Sequence, residues 1–203
     1  MNFWIILPVK PLSEGKSRLA SHLTPQQRYE LNTFLLTRTL KLAHQFLPNQ
    51  VLVVSRCQSV LSIANQWTAH TLIETVAGGL NAALAQASLW LKTMDVKNLL
   101  IIPTDLPRLT NKDLTSLVPL QPNQALIARD RAKQGTNALY WPTQAKIDYQ
   151  FGEKSCLLHE IEANKAGLSV QFSDNPRLAF DLDTPTDYAE WIANDHVNKG
   201  LYL

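Results

Sequence analysis

The sequence NLLIIPTDLPRL, residues 98–109, contains the strongest strand signal of the chain and runs directly into a polar turn. Its consecutive apolar residues at 99–102 are typical of a strand in a parallel sheet that is covered on both faces. Asp105 follows this strand, at the edge where open α/β sheets bind their ligands. The stretch therefore predicts a central strand, Asn98–Thr104, and a functional carboxylate at its end.

Apolar runs of the same kind lie on the N-terminal side, at Phe3–Pro8 and Gln50–Ser55, and predict two more buried strands. Weaker strand patterns occur at Thr71–Glu74, Gln124–Asp130, Ala138–Trp141, Leu168–Phe172 and Leu178–Asp183. Helical patterns alternate with them: one from Thr24-Pro25, then Ser59–Trp67, Gly79–Leu91, Thr110–Leu117, Ser155–Ala166, and a last one from Thr184-Pro185. This alternation predicts the α/β class, with a single three-layer domain over residues 1–203 around a mostly parallel central sheet.

Two of the predicted helices begin with a recognisable capping signal. Thr24 is followed by Pro25, which suits the first helical position, and by Gln27, which completes a capping box. Thr110 and Asp113 have the same spacing. The side chains in these two boxes satisfy backbone N–H groups that would otherwise lack partners, so they predict where the helices begin.

The composition is that of a globular protein. Hydrophobic residues make up 45% of the 203 residues and charged residues 18%, which excludes a disordered or fibrous chain. A formal net charge of +2 gives no electrostatic case for nucleic-acid binding. Cys57 and Cys156 form no CxxC pattern, so the sequence predicts neither a zinc site nor a disulfide framework.

The N-terminal apolar run is interrupted by Pro8 and Lys10 and is too short for a signal sequence or a membrane span. No later segment approaches membrane length. We therefore expect a protein without a membrane partner that works in the cytoplasm.

Residues 8–19, PVKPLSEGKSRL, place Lys10, Lys16 and Arg18 in one loop after the first predicted strand. Cationic donors at that place suit a triphosphate and the charge that develops on leaving pyrophosphate. The loop lacks the GxxxxGK[ST] spacing of a P-loop. A solvated basic loop is the alternative interpretation.

Three carboxylates lie at predicted strand ends. Asp105 follows the central strand, and Asp181 and Asp183 are two residues apart in an extended segment, where their side chains would share a face. Together they would suit Mg²⁺, which prefers oxygen ligands and accompanies substrate phosphates. The alternatives are a turn residue for Asp105 and a helix-cap residue for Asp183.

Two Gly-containing segments complete the candidate site, Gly135–Asn137 and Phe151–Ser155. Gly152 permits close backbone approach, and the helix that begins at Ser155 could present N–H groups to an anion. His159 lies one turn further along that helix. A structural role for His159 is the more common case for a helical histidine.

Six motifs occur in a fixed order: PVKPLSEGKSRL, GGLNAAL, PTDLPRL, GTNAL, FGEKSCLLH and DLDTPTD. This series, spanning Pro8 to Asp187, closely resembles the 2-phospho-L-lactate guanylyltransferase family, which includes phosphoenolpyruvate guanylyltransferases. The resemblance implies a fold of the nucleotide-diphospho-sugar transferase type. It also implies transfer of GMP from GTP to a phosphorylated acid, in biosynthesis of the deazaflavin redox coenzyme.

The resemblance also implies roles for individual residues. Asp105, Asp181 and Asp183 would be the ligands of Mg²⁺. The acid would be bound by Thr136, Gly152 and Ser155. The nucleotide would be bound by Pro8, Lys10, Lys16, Asn81 and Asp105, with Lys16, Arg18 and Asp105 as the catalytic residues. The preference for guanine rests on the resemblance alone.

Two positions depart from the family pattern. Gly15 stands where alanine is expected, and Arg108 follows Asp105-Leu106-Pro107 where an apolar residue is more common. Neither change removes a predicted ligand. Arg108 could alter the charge near the carboxylates and hence the choice among 2-phospho-L-lactate, phosphoenolpyruvate and 3-phosphoglycerate.

Two other functions are compatible with the same residues. A sugar-phosphate nucleotidyltransferase or glycosyltransferase would also use a DxD pair, and a regulatory module could bind nucleotide without turnover. The GTNAL and FGEKS segments favour a phosphorylated acid over a sugar, and three carboxylates exceed what simple binding requires. Leu- and Phe-rich helix faces would serve a homodimer interface as well as a core.

Overall fold

In the computed structural model, seven strands of the described chain form one sheet. The structure describes residues 3–75, 78–119, 121 and 123–194. The strands are β1 (Phe3–Pro8), β2 (Val51–Ser55), β3 (His70–Ile73), β4 (Asn98–Ile101), β5 (Gln124–Arg129), β6 (Thr136–Pro142) and β7 (Ser169–Ser173). The helices are α1 (Pro25–Phe46), α2 (Gln58–Gln66), α3 (Gly79–Thr93), α4 (Asn111–Ser116), α5 (Ser155–Lys165) and α6 (Pro185–Asn194), with a 3₁₀ turn at Ser17–Leu19.

The sheet order is β3-β2-β1-β4-β6-β5-β7. All neighbouring strands run parallel except β6, which is antiparallel to both β4 and β5. The predicted mostly parallel sheet is therefore confirmed. Because β6 runs against β4, its first residues lie near the carboxyl end of β4, which brings Thr136 and Asn137 to the edge that carries Asp105.

The central strands are buried on both faces, as their continuous apolar runs predict. In β1, Ile5 and Leu7 pack with α1 and α2 on one face, whereas Trp4 and Ile6 pack with α3 on the other. A third cluster joins the loop after β1, helices α1 and α6 and the segment before α6: Leu19, Leu31, Leu35, Phe180, Leu182 and Trp191. This third cluster fixes the basic loop against the Asp181–Asp183 segment.

Both predicted capping boxes are present. Thr24 Oγ1 accepts from the Gln27 N–H at 3.2 Å, and Gln27 Oε1 accepts from the Thr24 N–H at 2.9 Å. Thr110 and Asp113 form the same reciprocal pair at the start of α4. Among the described helices, none is both long and apolar enough to cross a membrane.

The predicted strand Leu178–Asp183 is wrong. The segment is irregular, although Leu178, Phe180 and Leu182 are buried as a strand pattern would require. The Leu182 N–H donates to the Asp105 carbonyl at 2.9 Å, while the Ala179 N–H donates back to Asn175 in a turn. These apolar residues are buried because they pack into two separate core clusters.

Candidate active site

A cleft of about 580 Å³ opens at the carboxyl ends of β1, β2 and β4. This is the edge of the sheet at which the sequence predicts ligand binding. Residues predicted from the basic loop, together with two of the carboxylates, line the cleft: Pro8, Lys10, Lys16, Arg18, Asp105 and Asp183. The fold therefore brings together residues far apart in the chain, such as Lys16 and Asp183, which are 167 residues apart.

Lys16 lies between two of the predicted carboxylates. Its Nζ atom is 3.2 Å from Asp105 Oδ2 and 2.9 Å from Asp183 Oδ1, and its side chain is only 7% exposed. A left-handed backbone, with φ of 56°, precedes the 3₁₀ turn at this residue. Burial alone would lower the pKa of Lys16, but the charges and hydrogen bonds of Asp105 and Asp183 outweigh it and raise the pKa. Lys16 is thus a buried, permanently charged cation at neutral pH.

Arg18 lies further out. Its guanidinium Nη1 is 3.8 Å from Asp183 Oδ2, and its side chain is 73% exposed. An exposed guanidinium at this distance contributes little to stability. It remains free to move towards an anionic ligand in the cleft.

Asp181 accepts a hydrogen bond from Asn137 Nδ2 at 3.4 Å. Burial, followed by the nearby charge of Asp105, raises the pKa of Asp181. Asn137 also donates to the Leu178 carbonyl at 3.0 Å, so it connects β6 to the Asp181–Asp183 segment. Carboxylates that repel one another in this way favour an additional cation.

The chemistry of this carboxylate group suits Mg²⁺, although no group of three or more metal-binding side chains is in ligand geometry within the described ranges. Lys16 already neutralises part of the charge of Asp105 and Asp183. Mg²⁺ is commonly held by one or two carboxylates, with substrate phosphates and water as its remaining ligands. The metal-binding role of Asp105, Asp181 and Asp183 stays a prediction.

Asp187 holds the carboxylate segment in place and was missed as a site-supporting residue from the sequence. Its Oδ2 atom accepts from the backbone N–H groups of Asp183 at 3.1 Å and Thr184 at 2.7 Å, and from the Thr184 hydroxyl at 2.8 Å. Arg131 pairs with its other oxygen. The Thr184-Pro185-x-Asp187 spacing was the available signal, because it marks the helix start that positions Asp183.

Arg108, where the resemblance predicts an apolar residue, packs against the segment that carries Asp181. Its guanidinium stacks 3.7 Å from the centre of the Phe180 ring and donates to Glu190 at 2.9 Å. Arg131 lies on the Phe180 ring as well, at 4.8 Å, and also bonds Glu190. Arg108 thus stabilises the residue before Asp181, and Glu190 offsets its charge.

The residues predicted to bind the acid do not line this cleft, and Thr136 and Ser155 are buried. Asn137, which follows Thr136, connects them to Asp181. Thr136 opens β6, and its backbone N–H donates to Ser155 Oγ at 2.9 Å. Gly152 has a φ of 131°, which side chains rarely adopt. At the start of α5, the N–H groups of Ser155 and Cys156 already donate to the carbonyls of Gly152 and Gln134. The start of α5 therefore offers fewer free N–H donors than the sequence predicts. The hydroxyl groups of Thr136 and Ser155 are the stronger candidates for binding the acid.

Asn81 has partners that the sequence did not indicate. Its Nδ2 atom donates to the Phe151 carbonyl at 3.0 Å, and its Oδ1 atom accepts from the Phe151 N–H at 2.8 Å. This pair joins α3 to the loop before α5. The nucleotide-binding role of Asn81 stays a prediction, while its neighbours Gly79, Leu80 and Ala83 line the cleft.

Comparisons with known proteins find relatives along nearly the whole chain. A family model described as "Guanylyl transferase CofC like" matches residues 3–200. The phosphoenolpyruvate guanylyltransferase of Rubrobacter xylanophilus is 33% identical over 199 residues, which cover 97% of both chains. The 2-phospho-L-lactate guanylyltransferase of Methanocaldococcus fervens is 30% identical, covering 98% of this chain and 89% of that protein. The 3-phospho-D-glycerate guanylyltransferase of Colwellia psychrerythraea is 30% identical, covering 90% and 88%.

Solved structures share the fold at low sequence identity. A protein of Desulfovibrio desulfuricans G20, assigned to the nucleotide-diphospho-sugar transferases, superposes with a TM-score of 0.70 at 13% identity, covering 97% of this chain and 88% of that one. The 4-diphosphocytidyl-2C-methyl-D-erythritol synthase of Anaerococcus prevotii has a TM-score of 0.63 at 11% identity, covering 97% and 99%. The predicted fold type is therefore confirmed.

Proposed function

Because this chain belongs to the family of CofC-like guanylyl transferases, we propose that it transfers GMP from GTP to a small phosphorylated carboxylic acid and releases pyrophosphate. The acid belongs to the class formed by phosphoenolpyruvate, 2-phospho-L-lactate and 3-phosphoglycerate, the acceptors in the names of its relatives. Through the family resemblance, the proposal extends to biosynthesis of the deazaflavin redox coenzyme.

The observation that carries the proposal is the meeting of Lys16 with Asp105 and Asp183 at the floor of the cleft. A triphosphate needs cationic donors, and the metal ion that accompanies it needs carboxylates. Both kinds of group occur here within hydrogen-bonding distance of each other. A sugar-phosphate nucleotidyltransferase would need the same groups for its nucleotide, so this observation supports nucleotidyl transfer, and the names of the relatives support the acid.

The chemistry needs no strong general base. A phosphate oxygen of the acid attacks the α-phosphorus of GTP, and the bond to the β-phosphate oxygen breaks as pyrophosphate leaves. The attacking phosphate is already ionised near neutral pH, so catalysis depends on positioning and on offsetting charge. Lys16 and Arg18 supply fixed and mobile positive charge for the triphosphate and for the departing pyrophosphate.

Mg²⁺, when held by Asp105, Asp181 and Asp183 with phosphate oxygens, would neutralise charge on the reacting phosphates. Pro8 and Lys10 line the cleft and would bind the nucleotide. Thr136, Gly152 and Ser155 would hold the acid beside Asn137. Asn137 contacts Asp181, so the acid would lie next to the carboxylate group.

The test is pyrophosphate release by the purified full chain with Mg²⁺. GTP, ATP, CTP and UTP are each paired with the three phosphorylated acids and with a sugar phosphate. Release with GTP and one acid is the expected result and names the acceptor. Release only with a sugar phosphate would replace the acceptor class, and GTP binding without release would favour a regulatory module.

A pair of matched variants shows whether release comes from this site. Asp183→Asn removes a charge in the cleft, and we expect turnover to fall at least about a hundredfold. Asp95→Asn removes an exposed charge just before the other end of β4, where the side chain is 77% exposed, and should leave turnover unchanged. Equal turnover in both variants would exclude the cleft as the active site.

A further inference from the structure

A buried hydrogen-bond chain ends on one of the residues proposed to bind the acid. His159 of α5 is 0% exposed. Its Nε2 atom accepts from the Gln150 backbone N–H at 3.1 Å, and its Nδ1 atom lies 2.9 Å from Thr136 Oγ1. The proposed reaction gives this imidazole no task, yet both of its nitrogens have partners.

The partners of His159 decide which nitrogen carries the proton. An N–H group is always a donor, so the bond from Gln150 requires an unprotonated Nε2. Burial lowers the pKa of His159 to about 4, which keeps the ring neutral at physiological pH. A neutral ring with an unprotonated Nε2 carries its proton on Nδ1. The bond to Thr136 therefore runs from Nδ1–H to Oγ1.

This direction leaves the Thr136 hydroxyl proton available as a donor. Its oxygen accepts from His159, so its own O–H can point to another group. The Ser155 hydroxyl proton is available in the same way, because its Oγ atom accepts a hydrogen bond from the Thr136 backbone N–H at 2.9 Å. Thr136 is 9% exposed and Ser155 only 2%, so the Thr136 hydroxyl is the more accessible donor for a carboxylate or phosphate.

The surroundings prevent the ring of His159 from turning over. The ring of Phe151 meets it edge-on at 4.7 Å and that of Trp141 at 5.6 Å. Asn81 fixes the Phe151 backbone from both sides. A flipped imidazole would turn C–H groups towards the Gln150 N–H and Thr136 Oγ1, so both hydrogen bonds would be lost in a buried place.

We propose that His159 is a positioning residue that keeps the Thr136 hydroxyl as a hydrogen-bond donor to the phosphorylated acid. The inference rests on the proposed function, in which Thr136 contacts the acid. His159 itself touches neither substrate. It acts through the direction of one hydrogen bond, which a side chain of similar size without an N–H at the Nδ1 position would not reproduce.

The kinetic test compares His159→Gln with His159→Asn, using the acid that gives the fastest pyrophosphate release. Glutamine can still accept from Gln150, but it offers no N–H at the position of Nδ1. Asparagine offers one. We expect His159→Gln to raise KM for the acid about tenfold while KM for GTP stays within about twofold, and His159→Asn to recover most of the loss.

A double variant with Thr136 shows whether His159 positions the Thr136 hydroxyl or only supports the fold. Thr136→Ala alone should raise KM for the acid. If His159 acts through the hydroxyl, adding His159→Gln to Thr136→Ala should change that value by less than about twofold. Multiplication of the two single effects would overturn the inference, as would a rise in KM for GTP equal to that for the acid.

A spectroscopic measurement on the wild-type chain tests the inference without depending on the folding of any variant. The ¹⁵N shifts of the His159 imidazole report which nitrogen is protonated, and we expect the proton on Nδ1 at neutral pH. A proton on Nε2 would overturn the inference. Absence of acid-dependent release from the wild-type chain would instead refute the proposed function, whereas such release with an unchanged acid KM in His159→Gln would refute only the inference.

Discussion

At the scale of single residues, two buried groups have opposite electrostatic situations. Lys16 is kept charged because two carboxylates outweigh the cost of burial, and its pKa is raised. His159 is kept neutral because burial dominates and the opposing charge of Glu162 is too weak to compensate. Each group is thereby held in the protonation state that its proposed role requires.

Lys16→Met removes the buried cation and keeps a stem of similar volume. We expect kcat/KM for GTP to fall at least about a hundredfold, because a preorganised charge in a partly buried site cannot be replaced by solvent. Steady-state pyrophosphate release measures the effect. The matched control is Arg18→Met, whose side chain is 73% exposed and should lose less than about tenfold. A larger loss from Arg18→Met than from Lys16→Met would contradict this assignment.

The buried imidazole predicts a pH dependence of stability. Its pKa falls from 6.5 in the unfolded chain to about 4 in the fold, so between these values the unfolded chain binds more protons. Stability is complete above pH 6.5 and is lost as the pH falls towards 4, by about 3 kcal/mol at most. Urea unfolding at several pH values measures the loss.

His159→Gln supplies the comparison for this pH series. Its stability should vary much less between pH 6.5 and 4. The loss at lower pH should remain, because Asp113, whose pKa is lowered to about 2 by bonds from Arg177, Thr110 and Asn175 that outweigh burial, titrates there in both proteins. An unchanged slope between pH 6.5 and 4 in the variant would show that another group titrates in that window.

At the scale of elements, the start of α6 connects helix stability with the site. The Asp187 carboxylate accepts from the N–H groups of Asp183 and Thr184, the two residues before the helix. Asp187→Ala should therefore lower the free energy of unfolding by about 2 kcal/mol and also reduce turnover, because Asp183 loses its support. Thermal unfolding and pyrophosphate release measure the two effects.

Asp187→Asn is the matched variant for this prediction. It keeps an acceptor oxygen for the helix N–H groups and loses the ion pair with Arg131. We expect less than half of the alanine effect on both measurements. A stability loss in Asp187→Ala without any loss of turnover would show that the cap does not position Asp183.

The loop after β1 packs closely against helix α1 at Gly15, where a side chain would not fit. A Cβ atom there would lie 2.6 Å from Asn32 Nδ2, and that same atom donates to the Leu12 carbonyl at 2.7 Å. Gly15→Ala should therefore displace the loop and raise KM for GTP several-fold. In the Asn32→Ala background the same change should add nothing, since the obstructing amide is gone. Equal effects in both backgrounds would rule out this contact as the cause.

At the scale of the whole molecule, the site exists only in the folded chain, so nucleotide binding should stabilise the fold. With Mg²⁺ and GTP at about 100 times Kd, we expect a gain of about 2.7 kcal/mol, or a Tm rise of about 5–10 °C. Differential scanning calorimetry measures the rise. Lys16→Met should lose most of it, and a full rise in that variant would place GTP elsewhere.

The sequence alone determined the parts of this protein that depend on close neighbours in the chain. The buried strands β1, β2 and β4, the capping boxes at Thr24 and Thr110, and the ordered motifs that identify the family were all readable from it. The strands follow from continuous apolar runs, and the capping boxes from side chains that bond the backbone three residues away, so no distant partner is needed to recognise them.

Only the tertiary structure decided which groups face one another. The segment 178–183, predicted as a strand, is irregular, and Lys16 lies between Asp105 and Asp183. Asn81 bonds the Phe151 backbone, and His159 bonds Thr136. The physical reason is that such pairings join residues far apart in sequence. Their geometry depends on strand order and on packing of the whole core, which no local pattern specifies.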